Sequence, residues 1–176
     1  MSKSLSTSDL YDEHGEALES CDLPLVNYGG RREFSGEIVT FRSREDNLIL
    51  KDMIAEPGEG RVIVVDTEGV TRCAMFGDNM ALTAQRNGWA GIVINGAIRD
   101  VQALSTIPIG VKALGSNPRR SYKIGTGERN VPVNFGGALF TPGALLVSDC
   151  DGIVIGPAGI LGRDVASHGS TTCVTP

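Results

Sequence analysis

Gly77-Asp78-Asn79-Met80-Ala81-Leu82-Thr83-Ala84-Gln85-Arg86-Asn87-Gly88-Trp89-Ala90-Gly91-Ile92-Val93-Ile94-Asn95-Gly96-Ala97-Ile98-Arg99-Asp100 is the stretch on which the fold turns. Its first half reads as a helix from Asp78 or Asn79 to Asn87, closed by Gly88 where a left-handed C-cap is favoured. Its second half, Ala90 to Asn95, is a short apolar run of the kind found in strands buried on both faces. A helix followed by a strand carries the chain across a small domain and back. The polar pairs at the two ends, Gly77-Asp78 and Arg99-Asp100, can therefore face one another in space.

Upstream, Arg61 to Asp66 is a continuous β-branched run and reads as a second buried strand. Thr67-Glu68-Gly69 turns the chain into a short strand from Arg72 to Phe76. Glu37 to Arg42 alternates, with Ile38 and Thr40 on one face and Val39 and Phe41 on the other. Tyr28 to Gly36 is a turn feeding that strand. Arg44-Glu45-Asp46-Asn47 opens a helix with an acidic first turn, which suits the positive end of the helix dipole. Leu48, Ile49, Met53 and Ile54 form its apolar face with Leu50 beside it, and Pro57-Gly58-Glu59-Gly60 ends it. Ser6 to Asp9 caps a short N-terminal helix.

Downstream, Asp100 to Leu104 reads as a short helix. Ile107 to Leu114 reads as a strand whose edge position accommodates Pro108. Beyond Gly115 the pattern changes to short strands, at Val131–Phe135, Ala138–Phe140, Leu145–Val147 and Ile153–Ile155. Thr141-Pro142-Gly143 and Asp149-Cys150-Asp151-Gly152 are turns between them. The order is not a pure alternation of strand and helix. It predicts one compact α/β domain over residues 1–158, with a mixed sheet that is partly layered or barrel-like. A polar, loosely ordered tail is expected over 159–176.

Composition narrows the function. The 176 residues suffice for a core without staples, and 41% hydrophobic with 21% charged residues is ordinary for a soluble protein. A net charge of -5 argues against a nucleic-acid surface but leaves room for one basic pocket and a small anionic ligand. No apolar run has the length of a membrane span, and the N-terminus lacks the apolar core of a secretory signal. The expected location is the cytoplasm, with no membrane partner. Cys21, Cys73, Cys150 and Cys173 are widely spaced and read as free thiols. His14 and His168 are the only histidines, each in a polar region expected to be exposed. A Ser-His-Asp triad or His-rich metal site is therefore disfavoured, and any metal should be a hard ion held by oxygens.

Asp78 sits where a strand becomes a helix, where unpaired N–H groups can bind a carboxylate. Gly77 would let that ligand approach the backbone closely. The competing reading is that Asp78 only caps its helix, and the same holds for Asp100. Two successive corners, each with a carboxylate and one with an arginine, can fall at the same end of the sheet. Open α/β sheets bind ligands at such ends. Arg163-Asp164 repeats the dipeptide in the tail and reads as a decoy.

These residues also carry a resemblance. Gly77-Asp78, then Asn87 to Gly96, then Arg99-Asp100 resemble the RraA-like family, which holds class II 4-hydroxy-4-methyl-2-oxoglutarate aldolases and regulators of ribonuclease E. Tyr28 to Arg31, Phe34 to Gly36, Glu45-Asp46-Asn47, Gly60 to Val62 and Ile109 to Gly115 add to the likeness. So do Gly127 to Arg129, Val133 to Gly137 and Asp149 to Ile153.

The resemblance implies a β/β/α phosphohistidine-swivelling-like fold and a ring-shaped homotrimer with sites between subunits. It implies that the backbone of Gly77, Asp78, Asn79 and Met80, together with Arg99, binds a 2-oxo acid. It assigns Asp100 to a divalent cation, Mg²⁺ or Mn²⁺, and makes Asp78 and Arg99 the catalytic residues. The implied activity is cleavage of 4-hydroxy-4-methyl-2-oxoglutarate to pyruvate, with oxaloacetate decarboxylation through the same enolate. The alternative is a non-catalytic regulator of ribonuclease E; regulators can lack the two polar pairs, which are intact here. Longer aldolases can supply a further acid from a C-terminal extension of a neighbouring subunit, and no residue here is matched to it. Gly60 to Gly69 faintly resembles the first motif of S-adenosylmethionine methyltransferases, but its second glycine is missing and no long alternating series follows.

Overall fold

Across residues 5–168, which the computed structural model describes, the chain begins with α1 (Thr7–His14), β1 (Glu19–Ser20), β2 (Val26–Asn27), β3 (Phe34–Arg42) and α2 (Leu48–Ala55). It continues through β4 (Val62–Asp66), β5 (Ala74–Phe76), α3 (Asp78–Arg86), β6 (Gly91–Ile98), α4 (Val101–Leu104) and β7 (Gly110–Ser116). The last part holds β8 (Glu128–Arg129), β9 (Val133–Phe135), β10 (Ala138–Phe140), β11 (Leu145–Ser148), β12 (Ile153–Gly156) and α5 (Ala158–His168).

The centre is a parallel run, β3-β4-β6-β7, and both β4 and β6 are buried along their whole length. Their side chains alternate between two cores. Ile63, Val65, Ile92 and Ile94 face the side covered by α2 and α3, together with Leu50, Met53 and Ala84. Val62, Val64 and Val93 face the other side, where the β9–β10 hairpin brings Phe135 and Phe140 into stacked contact at 4.3 Å. Burying side chains of this size contributes about 1.5–3 kcal/mol each, so the two-sided sheet anchors the domain.

β3 joins two regions. Its first residues, Phe34–Glu37, pair antiparallel with β11, while Ile38–Arg42 pair parallel with β4. β11 pairs β12, which pairs β1, so the sheet is mixed. Helix on sheet on strands is the β/β/α layering.

Several expectations need correction. The segment after Pro157 is helix α5, not a loose tail: Leu161 is buried and packs with Leu10, Leu18, Val147 and Val154. The side chains of Arg163, Asp164 and His168 lie outside the described residues, as do Cys173 and all of 169–176. Strand β7 begins at Gly110, after Pro108, and lies between β6 and β2 rather than at an edge. The acidic first turn of α2 does not exist, because Glu45 and Asp46 precede the helix and Asn47 is its N-cap. Leu50, read as flanking, is fully buried with Met53 and Ile54. His14 is half-buried rather than exposed. Cys21, Cys73 and Cys150 are free, as expected.

One polar group sits awkwardly in the apolar layers. Lys112 on β7 is 2% exposed, and its Nζ donates to the Gly152 carbonyl at 3.4 Å. Burial pushes its pKa down, against the pull of Asp149, Cys150, Cys21 and Asp151. Asp149 does not depend on it, since Thr7, Asp151 and Gly152 all donate to that carboxylate. A charge held weakly in a buried position is replaceable by an apolar group of similar length. Lys112→Met is expected to leave stability at pH 7 unchanged or raise it by about 1 kcal/mol in urea denaturation. A loss of more than about 2 kcal/mol would contradict this.

Candidate active site

β5 and β6 run parallel and end side by side, with Phe76 opposite Ile98. Gly77-Asp78 therefore leaves one strand where Arg99-Asp100 leaves its neighbour, and the Arg99 N–H donates to the Phe76 carbonyl at 3.0 Å. The two polar pairs meet at one end of the sheet.

Asp100 is the hinge of the arrangement. It precedes α4 in the left-handed conformation, φ 60° and ψ 42°, and caps nothing with its side chain. Aspartate tolerates that region better than most residues, and such backbones concentrate at functional sites. Its Oδ2 lies 3.3 Å from Arg99 Nε and 3.5 Å from the Asp78 amide nitrogen. Its Oδ1 meets no donor among the described residues.

At the start of α3 the backbone N–H groups are differently engaged. Asp78 Oδ1 accepts from the Asn79 N–H at 2.6 Å, so Asp78 does satisfy its own helix end. The Met80 N–H meets no acceptor among the described residues and is available to an anion. Gly77 also makes room for a neighbouring side chain. A Cβ there would come within 2.6 Å of Asp100 Oδ2 and 3.3 Å of Arg99 Cγ. What approaches Gly77 closely is the Asp100 carboxylate.

A pocket of about 290 Å³ opens on these residues, lined by Gly77, Asp78, Asn79, Met80, Arg99 and Asp100. Sequence reasoning missed the rest of its wall: Asn47 and Lys51 from the α2 end, and Arg120, Ser121 and Lys123 from the segment between β7 and β8. Four cations thus face two carboxylates, giving a locally basic pocket on an acidic chain. Asn47 is 9% exposed; its Nδ2 donates to the Met75 carbonyl at 3.0 Å, which leaves Oδ1 buried without a partner. An orphaned buried oxygen calls for a ligand, ion or water. The quoted triplet Glu45-Asp46-Asn47 was the signal for this residue.

Asp46 holds the two walls together. Its Oδ2 accepts from the N–H groups of Ile124, Gly125 and Thr126 at 2.8, 2.8 and 3.0 Å and from the Thr126 hydroxyl at 3.1 Å. Its Oδ1 accepts from the Leu48 N–H at 3.0 Å. Burial pushes the carboxyl up, but the amides of Leu48, Thr126, Ile124 and Gly125 outweigh it and bring the pKa down to about 2. Further ties hold the same segment. Asn117 N–H donates to the Ile98 carbonyl, Ala74 N–H to that of Arg119, and the Ser121 hydroxyl to that of Ala74.

No cluster of three or more His, Cys, Asp or Glu side chains is placed to hold a metal among the described residues. The pocket still fits a hard ion that keeps most of its water. Asp100 presents an oxygen without a donor among the described residues, and Asn47, whose Oδ1 is orphaned, lines the same pocket.

Comparison with known proteins identifies the family. Residues 7–155 match the family model RraA-like (Aldolase/RraA), and the chain belongs to that family. The RNA-processing inhibitor RraA from Thermus thermophilis is 39% identical at a TM-score of 0.84, over 86% of this chain and 92% of that one. A Geobacillus kaustophilus structure named S-adenosylmethionine: 2-dimethylmenaquinone methyltransferase is 42% identical at a TM-score of 0.84, over 86% and 94%. Streptomyces coelicolor RraAS2, described as an unusual member of the RNase ES inhibitor RraA protein family, is 27% identical at a TM-score of 0.74, over 92% and 85%. The mixed α/β fold expected from the resemblance is the one found.

Proposed function

We propose that the chain is a divalent-metal-dependent class II aldolase that cleaves 4-hydroxy-4-methyl-2-oxoglutarate to pyruvate and also decarboxylates oxaloacetate. The observation that carries this reading is the meeting of Asp78, Arg99 and Asp100 in one basic pocket. Asp100 is the residue that would hold Mg²⁺ or Mn²⁺, and the ion supplies Lewis-acid polarisation of the substrate ketone when bound. The Met80 N–H and the Arg99 guanidinium bind the 2-oxo acid, whose planar carboxylate suits the arginine fork. Breaking the C3–C4 bond, or losing CO₂ from oxaloacetate, leaves the electron pair on the pyruvate fragment as an enolate. Arg99 faces the negative charge that develops there. In the aldol cleavage a water ordered by Asp78 takes the proton of the C4 hydroxyl as that carbon becomes the ketone of the leaving pyruvate. In either reaction this water then gives a proton to the methylene carbon and completes pyruvate.

Gly77 supports this arrangement through space rather than chemistry. Its φ of -155° is open to any residue, so Gly77→Ala is expected to fold and to melt within a few degrees of the parent. The added Cβ displaces the Asp100 carboxylate, and Mn²⁺ affinity measured by titration should fall about tenfold or more. Unchanged Mn²⁺ affinity would separate Gly77 from the ion's site.

A second reading, a protein regulator of ribonuclease E, is favoured by the names of the Thermus and Streptomyces structures. Assembly as a homotrimer and a cytoplasmic location belong to either reading; among the described residues no helix is long and apolar enough to cross a membrane. Turnover of both oxo acids with Mg²⁺, monitored by coupled pyruvate detection, supports the lyase. Co-elution with purified ribonuclease E and inhibition of its cleavage, with no turnover, supports the regulator.

A further inference from the structure

The start of α3 serves the pocket with its backbone, but one side chain there has a chemistry of its own. Met80 lines the pocket and is half-buried, packed against the core that α2 and α3 cover. Met53 and Met75, by contrast, have no exposed surface. Among the described residues Met80 is therefore the one methionine within reach of a small oxidant in solvent. Its Sδ also has a polar neighbour. The Asn47 Nδ2 that donates to the Met75 carbonyl at 3.0 Å stands 3.6 Å from Met80 Sδ. A thioether is a weak acceptor, so this contact contributes little as the chain stands. It fixes the sulfur beside an amide donor on the pocket wall, in the residue whose own N–H meets no acceptor among the described residues.

We infer that Met80 is an oxidant-sensitive switch on the pocket: conversion to the sulfoxide weakens the hold on a 2-oxo acid, and reduction restores it. The inference rests on the proposed binding of that acid by Arg99 and the Met80 N–H. The step is a two-electron transfer. A sulfur lone pair attacks one oxygen of hydrogen peroxide, and the S–O bond forms as the O–O bond breaks. The departing hydroxide takes the proton of the attached hydroxyl and leaves as water. The thioether is oxidised and the peroxide reduced. The product is bulkier, chiral and strongly polar where the thioether was apolar and pliant. Its oxygen carries partial negative charge and draws hydrogen bonds that sulfur did not, with Asn47 Nδ2 already beside it. Turned to that amide, the oxygen pulls the side chain from its packing against the core. Turned the other way, it projects into a pocket of only about 290 Å³. Both positions oppose a carboxylate bound at the start of α3.

The test takes the Mg²⁺-loaded full chain before and after brief exposure to dilute hydrogen peroxide, then removed with catalase, and compares each protein with itself. Peptide mass mapping is expected to show one added oxygen at Met80 and none at Met53 or Met75. Pyruvate affinity measured by calorimetry should fall about fivefold or more, the contribution of about one hydrogen bond. It should return after treatment with methionine sulfoxide reductases A and B, which act on the two sulfoxide epimers. That recovery assigns the loss to methionine and not to Cys150, which is exposed in the turn between β11 and β12. Met80→Leu, a swap of similar volume, should show no peroxide-dependent loss. Oxygen that goes first to Met53 or Met75, an affinity that survives oxidation of Met80, or a Met80→Leu chain that loses affinity alike overturns the inference. A parent chain that binds no pyruvate before peroxide overturns the lyase reading along with it, so the two failures appear at different steps.

Discussion

On the proposed mechanism, Asp100→Asn is expected to lower metal-dependent pyruvate release by roughly 10³-fold, because it removes the charge assigned there to the ion while changing almost nothing else. Asparagine is the informative replacement. Asp100 occupies the left-handed region, φ 60°, which asparagine tolerates and alanine does not. An Asp100→Ala enzyme could lose activity through the backbone alone. The asparagine variant keeps the shape and the contacts with the Asp78 N–H, and it loses the ion pair with Arg99 at 3.3 Å. That pair is partly exposed, with side chains 31% and 35% accessible, so its contribution to folding is small. Melting temperature should therefore stay within a few degrees while Mn²⁺ titration shows a large loss of affinity. Activity within tenfold of the parent would remove Asp100 from the ion's site.

Asp46 is expected to dominate the stability of the same region. Its carboxylate is 3% exposed and serves amides from two separate segments. Asp46→Ala leaves several N–H groups of the 124–126 turn without an acceptor, at about 1–3 kcal/mol for each one that stays buried. A total loss of about 3 kcal/mol would lower the melting temperature by roughly 6–12 °C in a chain of this size. The pH dependence has a defined sign. The folded pKa of about 2 lies below the ordinary 3.8, so the stabilisation is fully present above about pH 4. It is lost as pH falls from about 4 through about 2 and amounts to about 2 kcal/mol. Acid unfolding of Asp46→Asn should accordingly show a shallower decline across that window than the parent. Equal slopes would mean that some other carboxylate carries the acid sensitivity.

Buried strands were legible because burial on both faces leaves a period-free apolar run, as at Arg61–Asp66 and Ala90–Asn95. The corners were legible because helix starts and glycine stops are local: Gly88 takes φ 80° at the end of α3, as its position implies. Pro108 misled because the proline was taken into the strand, whereas Ile107 to Ile109 forms a turn and pairing starts at Gly110. The end of the chain misled for a related reason. Glycine and polar residues hid Ile160, Leu161 and Val165, three apolar residues spaced for one helix face, and only the α1 and β11–β12 surface gives that face a partner.

The site divides in the same way. Gly77, Asp78, Arg99 and Asp100 stand at element ends that a sequence reading can find, and the resemblance supplied their roles. Lys51, Arg120 and Lys123 sit on an exposed helix face and in a segment without regular structure. Nothing local distinguishes them from ordinary surface cations. Their convergence depends on Asp46, whose partners lie 78 to 80 positions away in the chain. Acids before a helix usually complement its dipole, and that expectation concealed the longer-range part Asp46 plays.

The central claim is that this pocket performs metal-dependent lyase chemistry. Its most direct test is pyruvate release from oxaloacetate by purified protein stripped with EDTA, then resupplied with Mg²⁺ or Mn²⁺ and measured against a metal-only blank. The account predicts release at the blank rate after stripping and recovery when either ion is restored. Release that persists undiminished in EDTA, or none above the blank with either ion present, would contradict it.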